Sequence, residues 1–252
     1  MINLSYADRT TFRVLLLTLL AIVGLPYYFL SGGSIEWFIL VRLVGHFFGW
    51  MSPIAHHRWL SHNHFEPTLL GKALMSFSLV SSGIGNPLQI VAGHRIHHAH
   101  SDTENDIHSP KHLSMWRMWL GRFVEPKVSI KPPKDFFRNP WAVFLHNHYW
   151  KLFIGLNLLI WALFDLRTML IFCPVNFLYG WTLTNIGVNY LGHYDLKTKI
   201  IEARNTNRVL VFLSAGETLQ KNHHEYPSRS NLSGNSYNDP ALWLVKLLSK
   251  NS

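Results

Sequence analysis

The chain has 252 residues, enough for one domain with a sizeable core. Hydrophobic residues make up 48% and charged residues only 15%, against about 25% in soluble domains, which excludes an ordinary water-soluble protein and points to lipid contact. A net charge of +9 without a soluble basic module argues for an anionic membrane face or an acidic partner and against nucleic acid, and the lone cysteine, Cys173, excludes an internal disulfide or a Cys-rich metal site.

Residues 12–30 form an apolar run long enough to cross a hydrocarbon core, which takes about 20 helical residues. No small-residue cleavage site follows it, so it reads as an anchor, and Arg9 and Arg13 place the N-terminus on the cytoplasmic side. After the turn Ser31-Gly32-Gly33-Ser34, residues 35–51 return across the membrane. Within them Arg42 reads as a buried or snorkelling pair member and His46 as a candidate support for a site nearby. Residues 69–84 are apolar but short, which suits a re-entrant or interfacial segment.

Residues 102–140 read as loops, broken by Pro126, Pro132, Pro133 and Pro140, with one interfacial helix around 115–123 carrying Trp116, Arg117 and Trp119. Two more spans follow at about 152–164 and 168–190, joined by an outer turn at Asp165-Leu166-Arg167, and a short amphipathic helix closes the chain at 240–248. The pattern predicts an all-α integral membrane protein in a single domain, 1–252. Four transmembrane helices are expected, with residues 56–148 and 193–252 lying mostly at the cytoplasmic side. An even number of spans puts both termini and every histidine group on the cytoplasmic side.

The 16 histidines outnumber the 14 acidic residues, so something other than acid pairing employs them. They gather in His56-His57-Arg58-Trp59-Leu60-Ser61-His62, in His94-Arg95-Ile96-His97-His98-Ala99-His100, and in Asn222-His223-His224. His94, His97 and His98 share a helix face and can ligate one metal or straddle two. His57 and His62, five apart, do not share a face on a regular helix, while the adjacent His223 and His224 diverge by about 100° and suit two neighbouring ions. His64, His100, His108, His112, His146 and His148 read as structural. Imidazole-rich ligation suits zinc, copper, iron or nickel, and since one zinc is satisfied by about three or four ligands, the larger number here implies two ions. Haem would draw one histidine from each of two facing spans, so clusters outside the spans favour non-haem iron.

These residues resemble the motifs of the membrane fatty acid desaturases, within them the delta-9-like acyl-CoA and acyl-lipid branch. His57-Arg58-Trp59-Leu60-Ser61-His62 is similar to H-R-x-x-S-H, the first of the family's three histidine boxes. His94-Arg95-Ile96-His97-His98 followed by Ser101-Asp102-Thr103 is similar to H-R-x-H-H with S-D-T, and Asp106-Ile107-His108 to the later D-P-H. Gly216-Glu217 and Asn222-His223-His224-Glu225-Tyr226-Pro227 resemble the third box.

The resemblance implies a cytosolic helical cap, drawn from residues 56–148 and 193–252, that carries a di-iron site held by His57, His62, His94, His97, His98, His223 and His224, with O2 as cosubstrate. It implies O2-dependent removal of two hydrogens from a fatty acyl chain carried on lipid, coenzyme A or acyl carrier protein, threaded through a narrow apolar tunnel. Electrons would come from a separate donor such as a ferredoxin or a small cytochrome. The chain departs from the family at Gln220, which stands where the third box has its first histidine, and at Asn189, which replaces a ligand histidine of the fourth span. Asn185 keeps the place of a water-bridging asparagine, and His193 lies one turn beyond Asn189 and could reach in. A site poorer in imidazole would favour the related hydroxylases, or a degenerate, non-catalytic lipid-binding homologue.

Overall fold

A computed structural model describes residues 6–124, 133–234 and 238–250, and Pro126 and Pro132 of the expected loop lie outside them. Every regular element among the described residues is helical. The helices are α1 (Tyr6–Leu30), α2 (Ile35–Pro53), α3 (Leu69–Ser81), α4 (Pro87–His100), α5 (Met115–Trp119), α6 (Lys134–Arg138), α7 (Pro140–Leu163), α8 (Leu166–Thr182), α9 (Arg208–Leu213), α10 (Gln220–Glu225) and α11 (Leu242–Leu248). Two π-helical stretches extend α2 and α8 without a break: π1 (Ile54–Ser61) and π2 (Leu183–Leu191).

Among the described residues, three helical segments are long and apolar enough to cross a membrane: Asp8–Leu30, Ile35–Ser61 and Leu166–Leu191. The fourth expected span, 152–164, falls in the second half of α7, a helix that starts twelve residues earlier because Asn139 caps it, accepting from Trp141 N and Ala142 N. Its first half carries His146, Asn147, His148 and Lys151, so α7 has the length of a span without the uniform apolarity. Hydropathy locates the hydrocarbon contact; caps and hydrogen bonds set where helices end. The same distinction explains why the helical segment begun by α2 runs on past residue 51 to Ser61 through π1, whereas that begun by α8 ends through π2 at Leu191, close to the expected 190. α3 has 13 residues, short of the length needed to cross.

α8 is the central helix. The span it begins is 56% buried, against 28% for the span in α1, and α8 packs on α1, α2 and α7. Close approach is allowed by small residues: a Cβ on Gly24 would meet Leu170, and one on Gly45 would run into the amide of Asn176. That amide is engaged, since Arg42 donates to Asn176 Oδ1 at 2.8 Å and to the carbonyl of Ile171 at 3.0 Å. Arg42 is thus a half-buried side chain paired with Asn176. His46 makes its ring contact with Tyr179, and Cys173 is simply packed.

The segment around α5 is tied down onto α1 and α8. Trp181 donates to the carbonyl of Trp119 at 2.5 Å, Trp119 donates to Thr182 Oγ1 at 3.0 Å, and Thr11 donates to the carbonyl of Leu120 at 2.9 Å. The expected helix around 115–123 is therefore the short α5, with Trp119 turned inward and Trp116 left exposed.

Replacing Gly45 by valine forces α2 away from α8 and breaks the Arg42–Asn176 bond. We expect a loss of about 1–3 kcal/mol, read as a lower melting temperature in detergent; an unchanged melting temperature would show that the two helices have room to spare.

Candidate metal centre

Pro53 ends α2 because it has no N–H to continue the ladder, and the chain widens into π1. There His62 N donates to His57 O at 3.0 Å, an i→i+5 bond. Residues five apart are about 140° apart on an α-helix but stack on one face when five residues close a turn. The rings of His57 and His62 accordingly lie 4.8 Å apart. The two do not share a face of a regular helix; they converge because the chain at the end of α2 follows π1 instead. π2 behaves likewise: Gly192 N donates to Gly187 O at 3.0 Å, and His193 follows at once.

α4 begins at an Asn86 cap and presents its histidines near its C-terminal end. The imidazoles then fall into two adjacent groups. The first contains His57, His62, His94, His98 and His223, with ligand atoms all within 4.8 Å of one another. The second contains His97, His193 and His224. The face shared by His94, His97 and His98 is thus divided, as is the pair His223 and His224. The rings of His98 and His224 stack at 4.5 Å where the groups meet.

The Nε2 atoms face each other. In the first group the separations are 2.9 Å for His57 and His223, 2.8 Å for His62 and His94, and 2.8 Å for His98 and His223. In the second, His97 and His224 are 3.2 Å apart, and Gln220 Oε1 is 3.2 Å from both His193 and His224. A metal–imidazole bond of about 2.1 Å places ligands at right angles about 3.0 Å apart. The donor sets therefore fit a metal ion each.

Carboxylates fix the other side of three rings. His57 Nδ1 bonds Glu217, His97 Nδ1 lies 2.8 Å from Asp106, and His193 Nδ1 lies 2.9 Å from Asp102. Donation from Nδ1–H leaves the Nε2 lone pair pointing into the group. Asp102 takes a positive φ of 57° at the end of α4, which turns the chain so that Asp106 reaches His97. His108 shares this corner, 3.6 Å from Asp106. None of these three carboxylates was given a role from the sequence, although S-D-T, D-x-H and G-E were the signals.

Glu217 is itself held by Arg58, which donates from Nε at 2.8 Å. Arg58 is wholly buried and also binds Asp239 at 2.6 Å and the carbonyls of Ala215 and Ser230. Burial works against the Glu217 carboxylate, but the charges of His57 and Arg58 outweigh it and hold its pKa at about 2. Burial, then the neighbouring imidazoles, pushes His97, His98 and His224 down to about 3 and His62, His94 and His223 lower as well. These rings are neutral at physiological pH, the state that ligates.

The sequence candidates separate clearly. Gln220 faces the second group, its Nε2 donating to Glu217 O at 2.5 Å and its Oε1 turned to His193 and His224. His193, the weakest candidate, stands in that group, whereas Asn189 donates to Asn185 Oδ1 at 3.4 Å and Asn185 donates to Trp181 O. His64, His112 and His146 are occupied by Pro227 O, Thr103 O and Asn86, a structural use.

Two cavities meet at the first group. One, of about 340 Å³, runs from Arg13 between Ile84, Ile96, Phe123 and Trp181 to His94. The other, of about 90 Å³, lies among His56, His57, His94 and His97. Ile84, Ile90, His94, Thr184 and Asn189 line both.

The chain matches the family described as Fatty acid desaturase over residues 35–232. It is 29% identical over 196 residues to an sn-1 stearoyl-lipid 9-desaturase of Anabaena variabilis, covering 71% of this chain and 68% of that one. It is 27% identical over 186 residues to an sn-2 palmitoyl-lipid 9-desaturase of Nostoc sp. (strain 36), covering 69% and 64%. With an icosanoyl-CoA 5-desaturase of Limnanthes douglasii it shares 33% over 119 residues, covering 47% and only 33%.

Asp106→Asn removes the carboxylate that orients His97. We expect metal affinity of the second group to fall about 10–100-fold with the first group unaffected. Titration with ferrous iron should then show one site weakened; two unchanged sites would mean that Asp106 does not orient the ligand.

Proposed function

The chain belongs to the membrane fatty acid desaturase family, and we propose that it introduces a double bond into a fatty acyl chain, with an iron ion in each imidazole group. The observation that carries this reading is the pair of adjacent, carboxylate-oriented imidazole groups at the end of an apolar cavity. His57, His62, His94, His98 and His223 would hold one ion; His97, His193 and His224, with Gln220 beside them, would hold the other. Bound there, the irons supply the O2-dependent chemistry that takes two hydrogens from neighbouring methylenes.

The chain's own residues do the rest. Glu217, Asp106 and Asp102 keep Nε2 of their histidines unprotonated and aimed inward. The walls of the larger cavity exclude water and place a methylene run beside His94. His193 restores an imidazole where Asn189 lacks one, which supports desaturation over the hydroxylase and lipid-binding alternatives.

In this reading α7 is the fourth span, and the histidine groups and both termini face the cytoplasm. The acyl chain is carried on a lipid or as a thioester of coenzyme A or acyl carrier protein; the relatives are named for lipid and coenzyme A forms. The net charge of +9 suits an acidic electron donor, a ferredoxin or a small cytochrome.

Detergent-purified protein should contain about two irons per chain, as expected where imidazole donors exceed what one ion can use. Given electrons and O2, it should convert a saturated acyl lipid to a product lighter by two hydrogens. Gain of one oxygen instead would identify a hydroxylase. His98→Ala should lose activity and much of the iron, because a central ligand is removed; full activity with normal iron in this variant would overturn the assignment.

Gln220→His places a ring between His193 and His224, where the amide oxygen now sits. Iron occupancy should be kept or raised, measured by elemental analysis. A protein that no longer folds would show instead that the bond from Gln220 to Glu217 O is the side chain's main contribution.

A further inference from the structure

His56 precedes the first histidine motif and belongs to neither imidazole group. It is 4% exposed. Its Nδ1 lies 3.2 Å from the carbonyl oxygen of Ser52 and 3.4 Å from the Ser52 hydroxyl. Donation from Nδ1–H to that carbonyl fixes the tautomer and leaves Nε2 as an acceptor. The Ser61 hydroxyl, bonded to His56 O at 2.8 Å, holds the backbone from the other side. Nε2 is buried and has no hydrogen-bond partner in the structure.

A buried acceptor without a partner is costly, and one that persists calls for an explanation. The position supplies one. His56 lines the smaller cavity together with His57, His94 and His97, the rings that surround the metal groups. Other polar groups on that wall are committed: Ser61 to His56 O, the Asn189 amide nitrogen to Asn185, and both ends of the Gln220 amide. The His56 nitrogen is a fully buried acceptor without a partner, in a space that shares Ile84, Ile90, His94, Thr184 and Asn189 with the proposed acyl cavity.

We propose that His56 Nε2 accepts a hydrogen bond from an O–H group lodged in this cavity, and so forms a subsite that reads oxygen beside the reacting stretch of the chain. The proposal rests on the acyl occupant argued above. The O–H has two sources: an alcohol on the acyl chain itself, or a water retained beside it. A neutral imidazole serves either, and no change of protonation is involved.

The test is competition binding. The full-length, detergent-solubilised protein carries a fluorescent polyene fatty acid, displaced by stearate or by hydroxystearates that differ in hydroxyl position. Wild type is compared with His56→Gln, whose amide oxygen can stand where Nε2 stood, and with His56→Phe; His56→Leu replaces the latter if it fails to fold. With an alcohol as the source, one positional isomer binds wild type at least about tenfold tighter than stearate. His56→Gln keeps that preference, and His56→Phe loses it without changing stearate binding. With water as the source, no isomer gains, and His56→Phe binds stearate several-fold tighter because no held water competes for the space. Equal affinities for every probe in all variants, with stearate bound, overturn the subsite alone. Failure of wild type to bind the polyene fatty acid or stearate at all overturns the acyl reading and the subsite with it.

Discussion

The structure depends on a guanidinium that must not be left alone. Arg58 is wholly buried, and its charge is stable there only because Glu217 and Asp239 close on it from two sides. Those carboxylates come from segments more than 150 residues away along the chain. A single side chain in π1 thus draws the loop before α10 and the segment before α11 onto the end of α2. Gly216 makes the closure sterically feasible: its φ is 84°, and a Cβ there would sit 2.7 Å from Asp239 and 3.1 Å from Arg58. Glu217, fixed by Arg58, then fixes His57. The order of dependence runs from ion pair to backbone to ligand ring.

Desolvation sets the chemistry of what is gathered. Crowding so many imidazoles would be repulsive if they were charged, but burial keeps His62, His94, His97, His98, His223 and His224 neutral, and neutral rings offer lone pairs. The carboxylates sit behind the rings and are held as anions, so they orient ligands without competing for the same place. The π turns add the remaining requirement. Each directly follows a long apolar helix, and π1 brings His57 and His62 together where an α-helix would separate them.

Much of this was legible in the sequence, and the reasons for the rest are specific. Apolar length located the spans in α1, α2 and α8, because hydrocarbon contact is a property of composition. The spacing of His94, His97 and His98 gave a shared face because α4 is a regular helix. His57 and His62 could not be joined by the same rule, since π1 is not regular. The exchange of Asn189 for His193 was open for a related reason: which residue reaches the second group depends on where π2 stops and on Asp102 pulling the ring across. Asp102, Asp106 and Glu217 act through hydrogen bonds between distant segments, and no local pattern encodes those.

The two groups also keep their distance without a shared ligand. Among the described residues, every side chain in the two groups belongs to only one of them. What joins them is backbone. His97 and His98 are neighbours in α4, His223 and His224 are neighbours in α10, and each pair sends one ring to either group. Two helices therefore act as two rungs, and the separation is set by the span of one peptide and the divergence of adjacent side chains. The ring contact between His98 and His224 closes the space between the rungs. Spacing built in this way belongs to the folded backbone, so the two donor sets are held in register whether or not anything bridges them.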